Sequence, residues 1–88
     1  MEYQIEVKPS AAESLASLPK RHQRQIGKRI DQLAKNPRPR GSEKLEGGKD
    51  LYRIRSGDYR IIYQIRDDVL FVLVLRIGHR RDVYRNLP

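Results

Sequence analysis

Residues Val69 to Leu75 read Val-Leu-Phe-Val-Leu-Val-Leu, followed by Arg76 and Ile77, and no other stretch limits the possible folds of this chain so strongly. The run shows no alternation of apolar and polar residues. It is far too short to span a bilayer, and its β-branched and aromatic content suits a strand. A strand that is apolar on both faces belongs in the middle of a sheet, covered by other elements. The remainder of an 88-residue chain in which 38% of residues are hydrophobic must supply that cover, and this is enough for one thin core. A single domain over residues 1–88 is therefore expected.

The segments around this strand read clearly. Tyr3, Ile5 and Val7 alternate with Glu2, Gln4, Glu6 and Lys8, which predicts a half-buried strand. Pro9-Ser10 stops it. Ser10 and Glu13 have capping-box spacing, which predicts a helix opening at Ala11, with Leu15 and Leu18 as apolar contacts before Pro19 interrupts. From Lys20 to about Lys35, Ile26, Ile30, Leu33 and Ala34 form one narrow helical stripe. Asn36-Pro37-Arg38-Pro39 ends that helix. A loop from Arg38 to Lys49 carries Gly41, Gly47 and Gly48, with a short extended piece around Leu45. Leu51 to Arg55 and Tyr59 to Arg66 read as strands about a Ser56-Gly57-Asp58 turn. Asp67-Asp68 makes a further turn before a strand from Val69 to Ile77, and Gly78 to Pro88 is a polar, basic tail. The order β-α-α-β-β-β predicts an α+β fold, a helical hairpin packed on one face of a small antiparallel sheet. The first strand is expected to pair with a strand of the C-terminal meander, and the sequence leaves open which one.

Charge narrows the function. Nineteen Lys and Arg against eleven Asp and Glu give +8, an excess that attracts polyanions. The basic residues are spread along the chain rather than gathered on one amphipathic segment, which argues against a membrane-surface role. There is no cysteine, hence no disulfide framework and no thiolate metal site. That agrees with a reducing compartment. The polar start Met1-Glu2-Tyr3-Gln4 has no signal-peptide pattern, and a cytoplasmic location is expected. No metal site and no cofactor are expected either. His22 and His79 lie far apart in sequence without ligand spacing, and Gly47-Gly48-Lys49 lacks the spacing of a phosphate loop. His22, within a run of basic residues, reads as a solvated helix residue.

Chemistry concentrates in the second half. Arg53 and Arg55 have strand i, i+2 spacing and so share a face, Arg60 follows one turn later, and Arg76, His79, Arg80, Arg81, Tyr84 and Arg85 come after the apolar strand. These sets can converge on one exposed sheet surface. On pattern alone, arginines on the wet face of a half-buried sheet account for them equally well.

The segment Leu51-Tyr-Arg-Ile-Arg-Ser-Gly-Asp-Tyr-Arg-Ile-Ile-Tyr-Gln-Ile65, followed by Arg76-Ile-Gly-His-Arg-Arg-Asp-Val-Tyr-Arg85, resembles the RelE/ParE toxin superfamily, and its RelE branch in particular. The upstream strand, helical hairpin and Lys44-Leu-Glu-Gly47 extend the resemblance over nearly the whole chain. It implies a toxin that enters the ribosomal A site and cleaves messenger RNA there. The RNA's own 2′-hydroxyl attacks, giving a 2′,3′-cyclic phosphate and a 5′-hydroxyl without a metal. It also implies an acidic antitoxin as partner, within a toxin–antitoxin hetero-oligomer.

Carried over by position, the resemblance makes Arg53 and Arg55 phosphate contacts and Arg60 the phosphate clamp. Arg80 falls near the leaving group, and Tyr84 at the 2′-hydroxyl or in stacking. Lys49, Arg76, Arg81 and Arg85 would bind RNA. The well-known relatives have lysines where Arg53 and Arg55 stand. Arginine grips phosphate bidentately but is a poor base, so Tyr84 or His79 would have to accept the proton. A different branch uses a loop glutamate, near which Glu43 or Glu46 falls. Two alternatives remain open: a ParE-like module that inhibits DNA gyrase without cleaving, and an inactive relative that only binds RNA or antitoxin.

Overall fold

The computed structural model describes residues 2–79 of the chain. Strand β1 (Gln4–Val7) leads into helices α1 (Pro9–Ala16) and α2 (Lys20–Gln32), then strands β2 (Glu43–Lys44), β3 (Leu51–Ser56), β4 (Tyr59–Arg66) and β5 (Phe71–His79). The α+β architecture is as expected, with both helices on one face of the sheet. Several boundaries differ from the sequence reading, each for a local reason. The predicted capping box does not form. Pro9 itself starts α1 behind Lys8, with no side-chain cap, because its fixed φ suits the first helical position. Ser10 is then inside the helix, and its carbonyl accepts from Ser14 Oγ at 3.1 Å. Helix α2 stops at Gln32, three residues early, as Leu33, Ala34 and Lys35 shift to i→i−3 hydrogen bonds. The short piece expected at Leu45 lies at Glu43–Lys44. The apolar run enters its strand only at Phe71. Val69 is 62% exposed and Leu70 takes φ +52°, so the turn opened by Asp67-Asp68 takes in two apolar residues.

The sheet order is β1-β5-β4-β3-β2. Strand β5 sits between β1 and β4, the interior place its composition demands. Strands β2 to β5 form an antiparallel meander, but β1 pairs parallel with β5, Ile5 opposite Val72 and Val7 opposite Val74. The sheet is thus mixed rather than antiparallel. The helices carry the chain from the end of β1 across one face, and that crossover permits a parallel pairing a tight turn cannot make.

One irregularity controls which side chains face which way. Tyr63 pairs with Val74 but Ile62 pairs with Arg76, so Leu75 is an extra residue on β5, a β-bulge. Before it, Val72 and Val74 point to the helices; after it, Ile77 does. Without the bulge Arg76 would share the side of Val72 and Val74. Ala11, Ile26, Ile30 and Leu33 meet Ile54, Ile61, Tyr63, Ile65, Val72, Val74 and Ile77 in the core between helices and sheet.

A polar network closes one end of this core. Arg38, in the loop after α2, grips Asp67 with both terminal nitrogens, at 3.1 and 2.7 Å. Asp67 also accepts from Tyr3 Oη at 2.5 Å. Arg38 Nε donates to Tyr52 Oη at 3.1 Å and its guanidinium lies 5.0 Å from that ring. Tyr52 in turn lies 6.1 Å from Tyr63, whose hydroxyl donates to the Pro37 carbonyl at 2.7 Å. Burial pushes the Tyr63 phenol up to about 12, so it remains a donor. Among the described residues no helix is long and apolar enough to cross a membrane.

Two stability tests follow from this network. The bonds from Arg38, then Tyr3, hold the Asp67 carboxyl at about 2 against an ordinary 3.8. Its contribution to stability is complete above the ordinary value and is lost as pH falls through the depressed one. The melting-temperature gap between wild type and Asp67→Asn should therefore be widest near neutrality and close toward about pH 2; a gap independent of pH would refute the linkage. Tyr63→Phe strands the buried Pro37 carbonyl and should cost about 1–3 kcal/mol in urea denaturation.

Candidate functional site

The bulge and strand alternation gather Arg53, Arg55, Arg60 and Arg76 on the sheet face turned away from the helices. The register lays them out in rows. Glu43, Arg53, Ile62 and Arg76 stand side by side on β2, β3, β4 and β5, and Arg55, Arg60 and Gly78 form the next row. Four cations thus surround Ile62, which is fully buried although it lies outside the helix-side core.

Within this group the arginines differ. Arg60 is 8% exposed, the one buried charged residue among those described. Its guanidinium makes a 3.4 Å bond to the carbonyl of Tyr59 and reaches no carboxylate among the described residues. Its direct cross-strand neighbour is Arg55, exposed and likewise without a carboxylate. Two like charges side by side repel, and a buried cation without a counter-ion costs several kcal/mol. Both costs are relieved by a bound anion, and arginine's planar fork suits a phosphate oxygen pair. Arg53 is answered internally, because Glu43 of the edge strand forms an ion pair with its guanidinium. Arg76 is half-buried on the same face. Helix α2 braces the row from behind: Arg29 Nε donates to the Arg55 carbonyl at 3.2 Å.

Other predicted residues fall elsewhere. His79 pairs across the sheet with Tyr59, whose ring packs against the helix-side core. His79 therefore lies on the helix side and not with the arginines. Its ring meets Tyr59 edge-on at 5.9 Å. On the other flank of Tyr59 stands His22, at 5.0 Å. His22 is thus half-buried and engaged rather than a solvated helix residue. The chain's two histidines, read as unrelated, flank one tyrosine at the end of the sheet. Lys49 is exposed and lies in a depression shared with Asp50, Gln64, Arg66, Asp67 and Asp68, away from the arginine row. Arg80, Arg81, Tyr84 and Arg85 lie outside the described residues.

Past Val7 the chain turns away into α1, while β5 continues to His79. A concavity of about 460 Å³ lies there, lined by Lys8, Ser14, Leu18, Leu75, Arg76 and His79 among others. No group of three or more His, Cys, Asp or Glu residues capable of holding a metal is found among the described residues.

Sequence reasoning passed over Arg29 and gave Glu43 only a marginal place. Arg29 had no readable signal, since its partner is a backbone carbonyl. Glu43 depended on a two-residue strand whose register no periodicity reveals.

Comparison with known proteins bears on what such a face is for. A putative RelE-like toxin protein of Escherichia coli is 35% identical over 88 residues, spanning 96% of this chain and 92% of the relative. The mRNA interferase toxin RelE of Escherichia coli K12 is 36% identical over 58 residues, 64% of this chain and 60% of the relative. In the crystal structure of the archaeal RelE–RelB complex from Pyrococcus horikoshii, the similar chain superimposes with a TM-score of 0.82 at 36% identity, over 92% of this chain and 98% of that one. The family model for the ParE toxin of type II toxin–antitoxin systems matches residues 5–84. Fold, motif order and sequence agree, and the chain belongs to this toxin family, within the RelE/ParE superfamily.

Proposed function

We propose that the chain is a ribosome-dependent endoribonuclease that cleaves messenger RNA and so stops translation, held in check by an acidic antitoxin. The observation that carries this reading is Arg60, buried beside Arg55 and without a carboxylate partner among the described residues. A site of that kind is completed by a phosphodiester. The names of the relatives support the same reaction class: one is an mRNA interferase. The Pyrococcus horikoshii neighbour was solved with its RelB, which supports an antitoxin partner here and a hetero-oligomer with it.

In the proposed reaction the RNA 2′-oxygen attacks the adjacent phosphorus, the bond to the 5′-oxygen breaks, and a 2′,3′-cyclic phosphate and a 5′-hydroxyl remain. The scheme uses no metal or cofactor. Arg55 and Arg60 neutralise the charge that develops on the pentacoordinate phosphorus, where such contacts contribute most. A proton must leave the 2′-hydroxyl. Arginine cannot take it, and His79 is on the other side of the sheet. Glu43 stands in the arginine row, turned by Arg53, and is the proposed acceptor. Arg80 keeps its role beside the leaving 5′-oxygen, which takes its proton from water, and Tyr84 its stacking role. Arg76, Arg81 and Arg85 hold the strand by charge.

The ParE description of the matching family favours one second reading, a module that binds DNA gyrase and inhibits it. The two readings separate in a reconstituted translation reaction, with cuts located by primer extension, run beside a supercoiling assay. Ribosome-dependent cuts with supercoiling intact support cleavage. Supercoiling inhibited without cuts supports the second reading.

Two substitutions test the roles. Arg60→Gln should slow the cleavage step about 10²- to 10³-fold with a much smaller effect on RNA affinity; equal losses in both would remove Arg60 from the chemistry. Glu43→Gln removes the carboxylate paired with Arg53 and should tighten RNA binding while slowing cleavage. Slower cleavage with weaker binding would contradict a base role.

A further inference from the structure

The outward side of α2 carries charge that the sheet site does not use. Lys20, Arg21, Arg24 and Lys28 are exposed. Among the described residues none of the four forms an ion pair or a side-chain hydrogen bond. The helix contains a single acidic residue, Asp31. Lys20, Arg24 and Lys28 follow one another at i, i+4 and i+8, so successive charges stand about 6 Å apart on one stripe. Like charges at this spacing destabilise a helix, and no carboxylate among the described residues pairs with them. Ile26, Ile30 and Leu33 are buried against the sheet, which turns the stripe outward. The site arginines are on the sheet's other face, so the domain presents cations on two opposite sides.

What else is on this surface identifies its partner. Every exposed position from Lys20 to Gln32 is polar, so the surface lacks the apolar centre that a protein interface needs. It also lacks the exposed aromatic rings on which single-stranded bases stack, since the ring of His22 is taken up by Tyr59. A row of cations without apolar or stacking groups suits the phosphate backbone of paired RNA, which is bound by shape and charge rather than by base. We propose that the outward side of α2, through Lys20, Arg21, Arg24 and Lys28, is a second RNA-binding surface that takes the backbone of base-paired RNA. It works independently of the single strand proposed for the arginine face.

The test is a crossed binding experiment, with fluorescence anisotropy on a blunt RNA duplex and on an unstructured single-stranded oligonucleotide. One variant, Lys20→Gln/Arg24→Gln/Lys28→Gln, alters the stripe; another, Arg55→Gln/Arg60→Gln, alters the sheet face. Thermal melts confirm that each is folded. The stripe variant should lose about tenfold or more in duplex affinity, and its slope of log K against log salt should flatten by about 2 to 3. Its single-strand affinity should stay within about twofold of wild type. The sheet variant should show the converse, and a failure there alone counts against the arginine site and not against this surface. Unchanged duplex affinity in the stripe variant overturns the proposal. So does an equal loss on both RNAs, which would mean general charge attraction. A poly-glutamate peptide that needs the stripe and outcompetes the duplex would assign the surface to an acidic protein instead.

Discussion

Strand β5 has to satisfy two neighbours that run in different directions, β1 parallel and β4 antiparallel, while facing the helices with one side and the arginine row with the other. Its apolar composition allows the first requirement, and the extra residue at Leu75 allows the second. By resetting the alternation, the bulge lets Ile77 complete the core and puts Arg76 beside Ile62. Remove it, and either a cation enters the core or an isoleucine takes a place in the site. The geometry of core and site therefore depends on one pairing between β4 and β5.

Much of this was readable in advance because period and punctuation are local signals. The stripe of Ile26, Ile30 and Leu33, the turn at Gly57 and the interior strand all come from residue type and spacing. The misread features depend on contacts distant in sequence. The parallel pairing of β1 reflects the path of the helices across the sheet. The bulge has no mark in a run where every residue is apolar. His22 looked solvated because its partner, Tyr59, is 37 residues away in the chain. At the start of α1, the serine cap expected at Ser10 gives way to Pro9, which needs no partner to fix its φ.

The same distinction holds at the site. Spacing alone put Arg53 and Arg55 on one face, and the hairpin turn put Arg60 beside Arg55. Nothing in the sequence said that Arg60 would be buried and meet no carboxylate among the described residues, or that Arg53 would be answered by Glu43. These are differences of environment between chemically identical side chains. They separate a charge paired with a carboxylate from one that meets none among the described residues.

The placement of β1 has a consequence for how the molecule comes into being. Its partner is β5, separated from it in the chain by both helices and three strands, so β1 has no strand to pair with until that whole stretch has been made. The arginine row is also divided among β3, β4 and β5, and the final bulge orients its last member. A partly synthesised chain therefore has neither a closed core nor an assembled cationic face. That face is therefore assembled all at once, and only after β5 has been made.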